Sequence, residues 1–119
     1  MNSLNLDKIG IRQIDQADCG VACVLTILNY FGIAESHEKI RSIVGKTATG
    51  STLLGLKEGL DKYGIVSEGY EATLEQIKDL KQPSILHTVQ DGKYLHFIVL
   101  FQYINGQFIV FDPGAGSIS

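Results

Sequence analysis

The sequence predicts an α+β fold in which N-terminal helices pack on a C-terminal antiparallel sheet, and three observations carry that expectation. Apolar residues recur at three- and four-residue spacing between capping residues and glycines through the first part of the chain. After Pro83 the composition turns to β-branched and aromatic runs. Those runs are separated by Asp91-Gly92 and Asn105-Gly106, strong hairpin signals, so the strands follow one another as a meander and do not alternate with helices.

The first helix is expected over residues 18–31, with Asp18 as N-cap, Val21, Val24, Leu25, Leu28 and Phe31 on its apolar face, and Gly32 as its stop. Ser36 caps a short second helix that Gly45 ends, and a third runs from Ser51 or Thr52 to Gly64. "IVSEGYEA" (65–72) alternates as an edge-type strand. "TLEQIKDL" (73–80) opens with the capping-box pair Thr73 and Gln76 and makes a fourth helix. Strands are expected at "SILHTV" (84–89), "YLHFIVLFQYI" (94–104) and "QFIVFD" (107–112), and the tail "DPGAGSIS" reads as loop. The 119 residues show no internal repeat and are expected to form a single domain cut from something longer.

Composition narrows the function classes. Ten Lys+Arg against 13 Asp+Glu, spread along the chain, leave no basic stripe, so nucleic acid is not an expected partner. The two cysteines, Cys19 and Cys23, stand one helical turn apart with poor geometry for a bridge, which points to free thiols in a reducing compartment. No His/Cys/Asp cluster has ligand spacing, so neither a metal nor another cofactor is expected. The N-terminus lacks a signal-peptide pattern, and no apolar run reaches the length of about 18 residues that a membrane span needs.

The first turn of the first helix is chemically suggestive. Cys19 would sit where the free N–H groups and partial positive charge of a helix end favour an anion, and Gly20 beside it leaves room for a substrate backbone. Cys23, among Val and Leu, reads as core. A nucleophilic thiol needs a base, and three histidines compete. His37 lies in a charged surface stretch, whereas His87 and His96 each interrupt an apolar strand, where a polar ring needs a partner. A two-residue turn at Asp91-Gly92 would set His87 directly opposite His96. His96 has the better case, because Asp112 ends the next strand and its carboxylate could fix the imidazole tautomer. Asp112 is equally a turn residue of Asp-Pro-Gly.

Register decides whether Asp112 reaches His96. An undisturbed two-residue turn at Asn105-Gly106 sets Asp112 opposite Val99 and turns it away from His96. A bulged loop, or an equivalent irregularity before Pro113, sets it opposite Ile98 and diagonal to His96 on one face. Upstream, the amide of Gln13 or of Gln16 could join the Cys19 N–H in holding an oxyanion.

Taken in order, Gln13, Asp18-Cys19-Gly20 with Ala22-Cys23 entering an apolar helix, His96-Phe97 opening "HFIVL", and Asp112-Pro113 resemble the cysteine peptidase domain at the N-terminus of bacterial ABC transporters that process and export bacteriocins and peptide pheromones. The likeness spans about residues 11–114. It implies a papain-like fold with Cys19 as nucleophile, His96 as general base, Asp112 as orienting residue and Gln13 as oxyanion-hole donor. It further implies cleavage of a precursor's amphipathic leader after a Gly-Gly motif, on the cytoplasmic side of the membrane, with the transporter's transmembrane and nucleotide-binding domains as partners. The leader's helix would need an apolar groove, for which exposed apolar residues between Leu53 and Tyr70 are the candidates. Two other readings stand beside this one: a docking module that binds the export substrate without cutting it, and a free-standing cysteine hydrolase or transferase acting on another amide.

Overall fold

Helix α1 (Cys19–Tyr30) lies at the centre of a computed structural model that describes residues 10–11, 19–44, 53–69, 72–80, 83–90, 93–114 and 117–118. Every residue from Cys19 to Leu28 is buried. The amphipathic face expected from the sequence is therefore only part of the picture, since a helix apolar on all sides is one surrounded by the protein. Helices α2 (His37–Val44) and α3 (Leu53–Asp61) pack against α1 and each other, while the sheet packs against α1 as well. Ile40 and Val44 of α2, Leu56 and Leu60 of α3, and Phe97, Val99, Phe101 and Phe111 of the sheet form one core with α1. Each fully buried Val or Leu at its centre, such as Val21, Val24 and Leu28, contributes about 1.5–3 kcal/mol through apolar burial. Phe31, expected on the apolar face, is 51% exposed because the helix has ended before it.

The capping chemistry explains where the helices stop. Gly32 (φ 82°) donates to the Asn29 carbonyl while the Ile33 N–H reaches Leu28 O at 2.8 Å. Gly64 (φ 79°) repeats the pattern, donating to Asp61 O, with Ile65 N–H to Leu60 O at 3.1 Å. Both ends are Schellman motifs, in which glycine takes the left-handed conformation and the next apolar residue folds back onto the core. Ser36 Oγ accepts from the Lys39 N–H and starts α2. Thr73 and Gln76 form both halves of the expected capping box, although α4 (Leu74–Lys78) is shorter than the sequence suggests.

No strand forms at 65–69 or at 72, contrary to the alternation read there. Ile65 packs on the core and Val66 is 85% exposed, so the alternation at 65–66 reports which side chain touches the protein and not a strand. The sheet is β1 (Ser84–Gln90), β2 (Lys93–Ile104), β3 (Gln107–Asp112) and β4 (Ser117–Ile118), antiparallel and in sequence order. The short β4 lies in the tail read as loop, where it pairs Asp112 with Ser117.

Both hairpins carry an irregularity. Val89 pairs with Tyr94, but Thr88 pairs with His96, so Leu95 is an extra residue on β2. In the second hairpin Asn105 (φ 54°) and Gly106 (φ 77°) make the two-residue turn. Gln102 pairs with Ile109 and Leu100 with Val110, so Phe101 is the extra residue there.

Candidate active site

These two bulges decide what the ring of His96 meets. The first overturns the expectation that His87 faces His96: His87 pairs with Phe97 instead, one position further along. Its ring stacks on Phe97 at 4.1 Å between centroids, and burial pulls its pKa below the ordinary 6.5. The second bulge supplies the irregularity that Asp112 requires. An undisturbed turn at Asn105-Gly106 would point Asp112 away from His96; the extra residue at Phe101 restores the other register, with Val99 opposite Phe111.

The carboxylate and the imidazole accordingly meet. His96 Nε2 lies 2.5 Å from Asp112 Oδ1, with the two side chains 25% and 41% exposed. The same Oδ1 accepts the backbone N–H of Gly114 at 2.8 Å. Asp112 is thus both a turn residue of Asp-Pro-Gly and the partner of His96. Pro113 between them is fully buried, which fixes the turn against the protein.

Cys19 opens α1 and is 5% exposed, at the edge of the core cluster and not in open solvent. Cys23 lies one turn further in, and both thiols are free. Burial pushes the Cys23 thiol well above its ordinary 9.0, and the charges of Cys19 and then of Asp112 push it the same way. The strand that carries His96 packs against α1, the helix that carries both thiols. The expectation that Cys23 is core agrees with its complete burial. His37 begins α2 and is half-buried. Gln13, its rival Gln16 and the expected cap Asp18 lie outside the described residues.

Two contributors escaped the sequence reading. Thr26, wholly buried in α1, donates from Oγ1 to Ala22 O at 2.8 Å and accepts the Ile11 N–H at 2.9 Å. A Cβ on Gly10 would overlap the ring of Phe111. Residues 10–11 are thereby held between α1 and β3. The signal for Thr26 was a hydroxyl alone in an apolar helix, which needs a partner when buried. The other residue is Gly114, whose only mark was the Asp-Pro-Gly tripeptide.

Among the described residues no group of three or more His, Cys, Asp or Glu could hold a metal ion, and no helix is long and apolar enough to cross a membrane.

Comparison with known proteins places this geometry. The chain is 32% identical over 110 residues to the lactococcin-G-processing and transport ATP-binding protein LagD of Lactococcus lactis subsp. lactis, covering 91% of this chain and 16% of that protein. It is 31% identical over 106 residues to the transport/processing ATP-binding protein ComA of Streptococcus pneumoniae, covering 87% of this chain and 15% of ComA. The chain therefore spans only a small part of the length of these relatives. Among solved structures, the peptidase domain of Streptococcus ComA, a bifunctional ABC transporter involved in quorum sensing, superposes with a TM-score of 0.82 at 27% identity, covering 92% of this chain and 82% of that one. A double-glycine-motif protease from an AMS/PCAT transporter, solved with its leader peptide, gives 0.80 at 25% identity, covering 92% and 76%. The model of the Peptidase C39 family matches residues 8–119, and the chain belongs to that family.

Proposed function

We propose that this chain is a cysteine endopeptidase that cuts the leader of a bacteriocin or peptide-pheromone precursor after a Gly-Gly motif, coupled to export by an ABC transporter. The observation that carries the reading is the His96 Nε2–Asp112 Oδ1 contact, formed through a bulge in a sheet that packs against α1, the helix that Cys19 opens. With Nε2 engaged by the carboxylate, Nδ1 is the ring nitrogen that serves as base. The Cys19 thiol gives its proton to Nδ1, and Sγ attacks the carbonyl carbon of the second glycine. The oxyanion is held by the Gln13 side chain and the Cys19 N–H. As the intermediate collapses, the C–N bond breaks and His96 passes its proton to the departing amine. Water then attacks the thioester, His96 takes a proton from it, and the thiol leaves with that proton while the leader keeps a new carboxylate.

The near-burial of Cys19 supports the choice of glycine, because a narrow approach to sulfur admits a backbone without Cβ and rejects side chains. Leu53, Leu54 and Val66, all exposed, supply apolar contact for the leader's amphipathic helix; Tyr70 lies outside the described residues. In this reading the chain is one peptidase domain of a longer transporter, standing on the cytoplasmic side of the bacterial membrane, with the precursor, the transmembrane domain and the nucleotide-binding domain as its partners. Its support is the naming of the relatives as processing and transport proteins and their much greater length.

The test is to mix the chain with a synthetic leader peptide ending in Gly-Gly plus a few cargo residues and to map the products by mass. A single cut after the second glycine, absent with Cys19→Ala, is expected. Tight binding without any cut would favour a docking module, and cleavage of other amides but not this peptide would favour a different hydrolase.

A further inference from the structure

We infer that Gly114 is a positioning residue for the His96–Asp112 pair, acting through its backbone amide and through the side chain it lacks. The inference rests on the peptidase reading above and adds to it a residue that touches no substrate. Asp112 Oδ1 takes two donors at once, His96 Nε2 and the Gly114 N–H, the latter at 2.8 Å. An amide donor on a carboxylate holds both its charge and its plane, so the oxygen offered to the imidazole has a fixed direction. Buried Pro113 presets the turn that brings this amide back to Oδ1.

The absent side chain matters equally. A Cβ at position 114 would stand 3.2 Å from Asp112 Oδ1, 3.2 Å from His96 Cε1 and 3.3 Å from His96 Nε2. All three distances are inside ordinary van der Waals contact, and all three atoms belong to the pair itself. Accommodating a methyl group requires the ring or the carboxylate to give by a few tenths of an ångström. Because the ring's other nitrogen must meet the thiol, a small rotation is amplified into a poor proton transfer. Gly114 is itself exposed, so its substitution is tolerated by the fold.

The experiment compares the unsubstituted chain, Gly114→Ala, His96→Ala and the double variant on the Gly-Gly leader peptide, with melting temperature measured for each. Gly114→Ala is expected to lower kcat about tenfold or more with KM and melting temperature little changed. In the His96→Ala background the same substitution should cost nothing further, since it acts through a ring no longer present. Equal kcat for Gly114→Ala and the unsubstituted chain overturns the inference while leaving the peptidase reading intact. An equal loss in both backgrounds also overturns it, because the residue would then act elsewhere. If the unsubstituted chain cuts the peptide no faster than His96→Ala, the peptidase reading fails and takes the inference with it.

Discussion

His96→Ala is expected to lower the rate of Gly-Gly leader cleavage by roughly a thousandfold to ten-thousandfold, with little change in KM. The structure pairs the ring, through Nε2, with the Asp112 carboxylate, and in the proposed mechanism its loss removes both the acceptor of the thiol proton and the donor to the leaving amine. The fold has little stake in it. His96 is 25% exposed and Asp112 41% exposed, so breaking their contact costs about 1 kcal/mol or less of stability. Steady-state kinetics beside a thermal melt check this: a fall in rate at an unchanged melting temperature is predicted, whereas a modest loss that tracks unfolding would give His96 a structural role.

Asp112→Ala and Asp112→Asn are expected to differ from one another. Alanine removes the acceptor of both the His96 Nε2 hydrogen and the Gly114 N–H, so the ring loses its tautomer and its direction, and a fall in kcat of about a hundredfold or more follows. Asparagine keeps an oxygen where Oδ1 stands and retains both hydrogen bonds. It loses only the negative charge that stabilises the imidazolium, and a drop of about tenfold is predicted. Measuring kcat and KM for both variants checks the ordering. Equal losses would mean that charge alone matters and that orientation contributes nothing.

Much of this architecture was legible in the residues because helix ends announce themselves chemically. Ser36, the Thr73 and Gln76 box, Gly32 and Gly64 each occupy the place that their chemistry suggests. The strands around Asn105-Gly106 were legible for the same reason, since that dipeptide takes positive φ readily. The bulges were not. Leu95 and Phe101 lie within runs of apolar and aromatic residues, where one extra residue leaves no break in the pattern. Missing the first bulge paired His87 with His96. The second could be demanded from Asp112 but not located, and it proves to lie in the strand at Phe101, not in the loop. The strand expected at 65–72 does not form at 65–69 or at 72, because alternation reports which side touches the core and says nothing about a hydrogen-bonded neighbour. Asp112 itself carried two competing meanings, turn former and histidine partner. The structure shows that one oxygen serves both.

The central claim is that the sulfur of Cys19 and the imidazole of His96 work as a pair, and thiol reactivity measures it most directly. Iodoacetamide at pH 6, followed by mass mapping of the two cysteines, is predicted to label Cys19 at least about tenfold faster in the unsubstituted chain than in His96→Ala. Cys23 should stay unlabelled in both, because burial and the neighbouring charges keep its thiol protonated. Slow labelling of Cys19 at the same rate with and without the imidazole would contradict the pairing, and with it the assignment of a catalytic site at this end of α1.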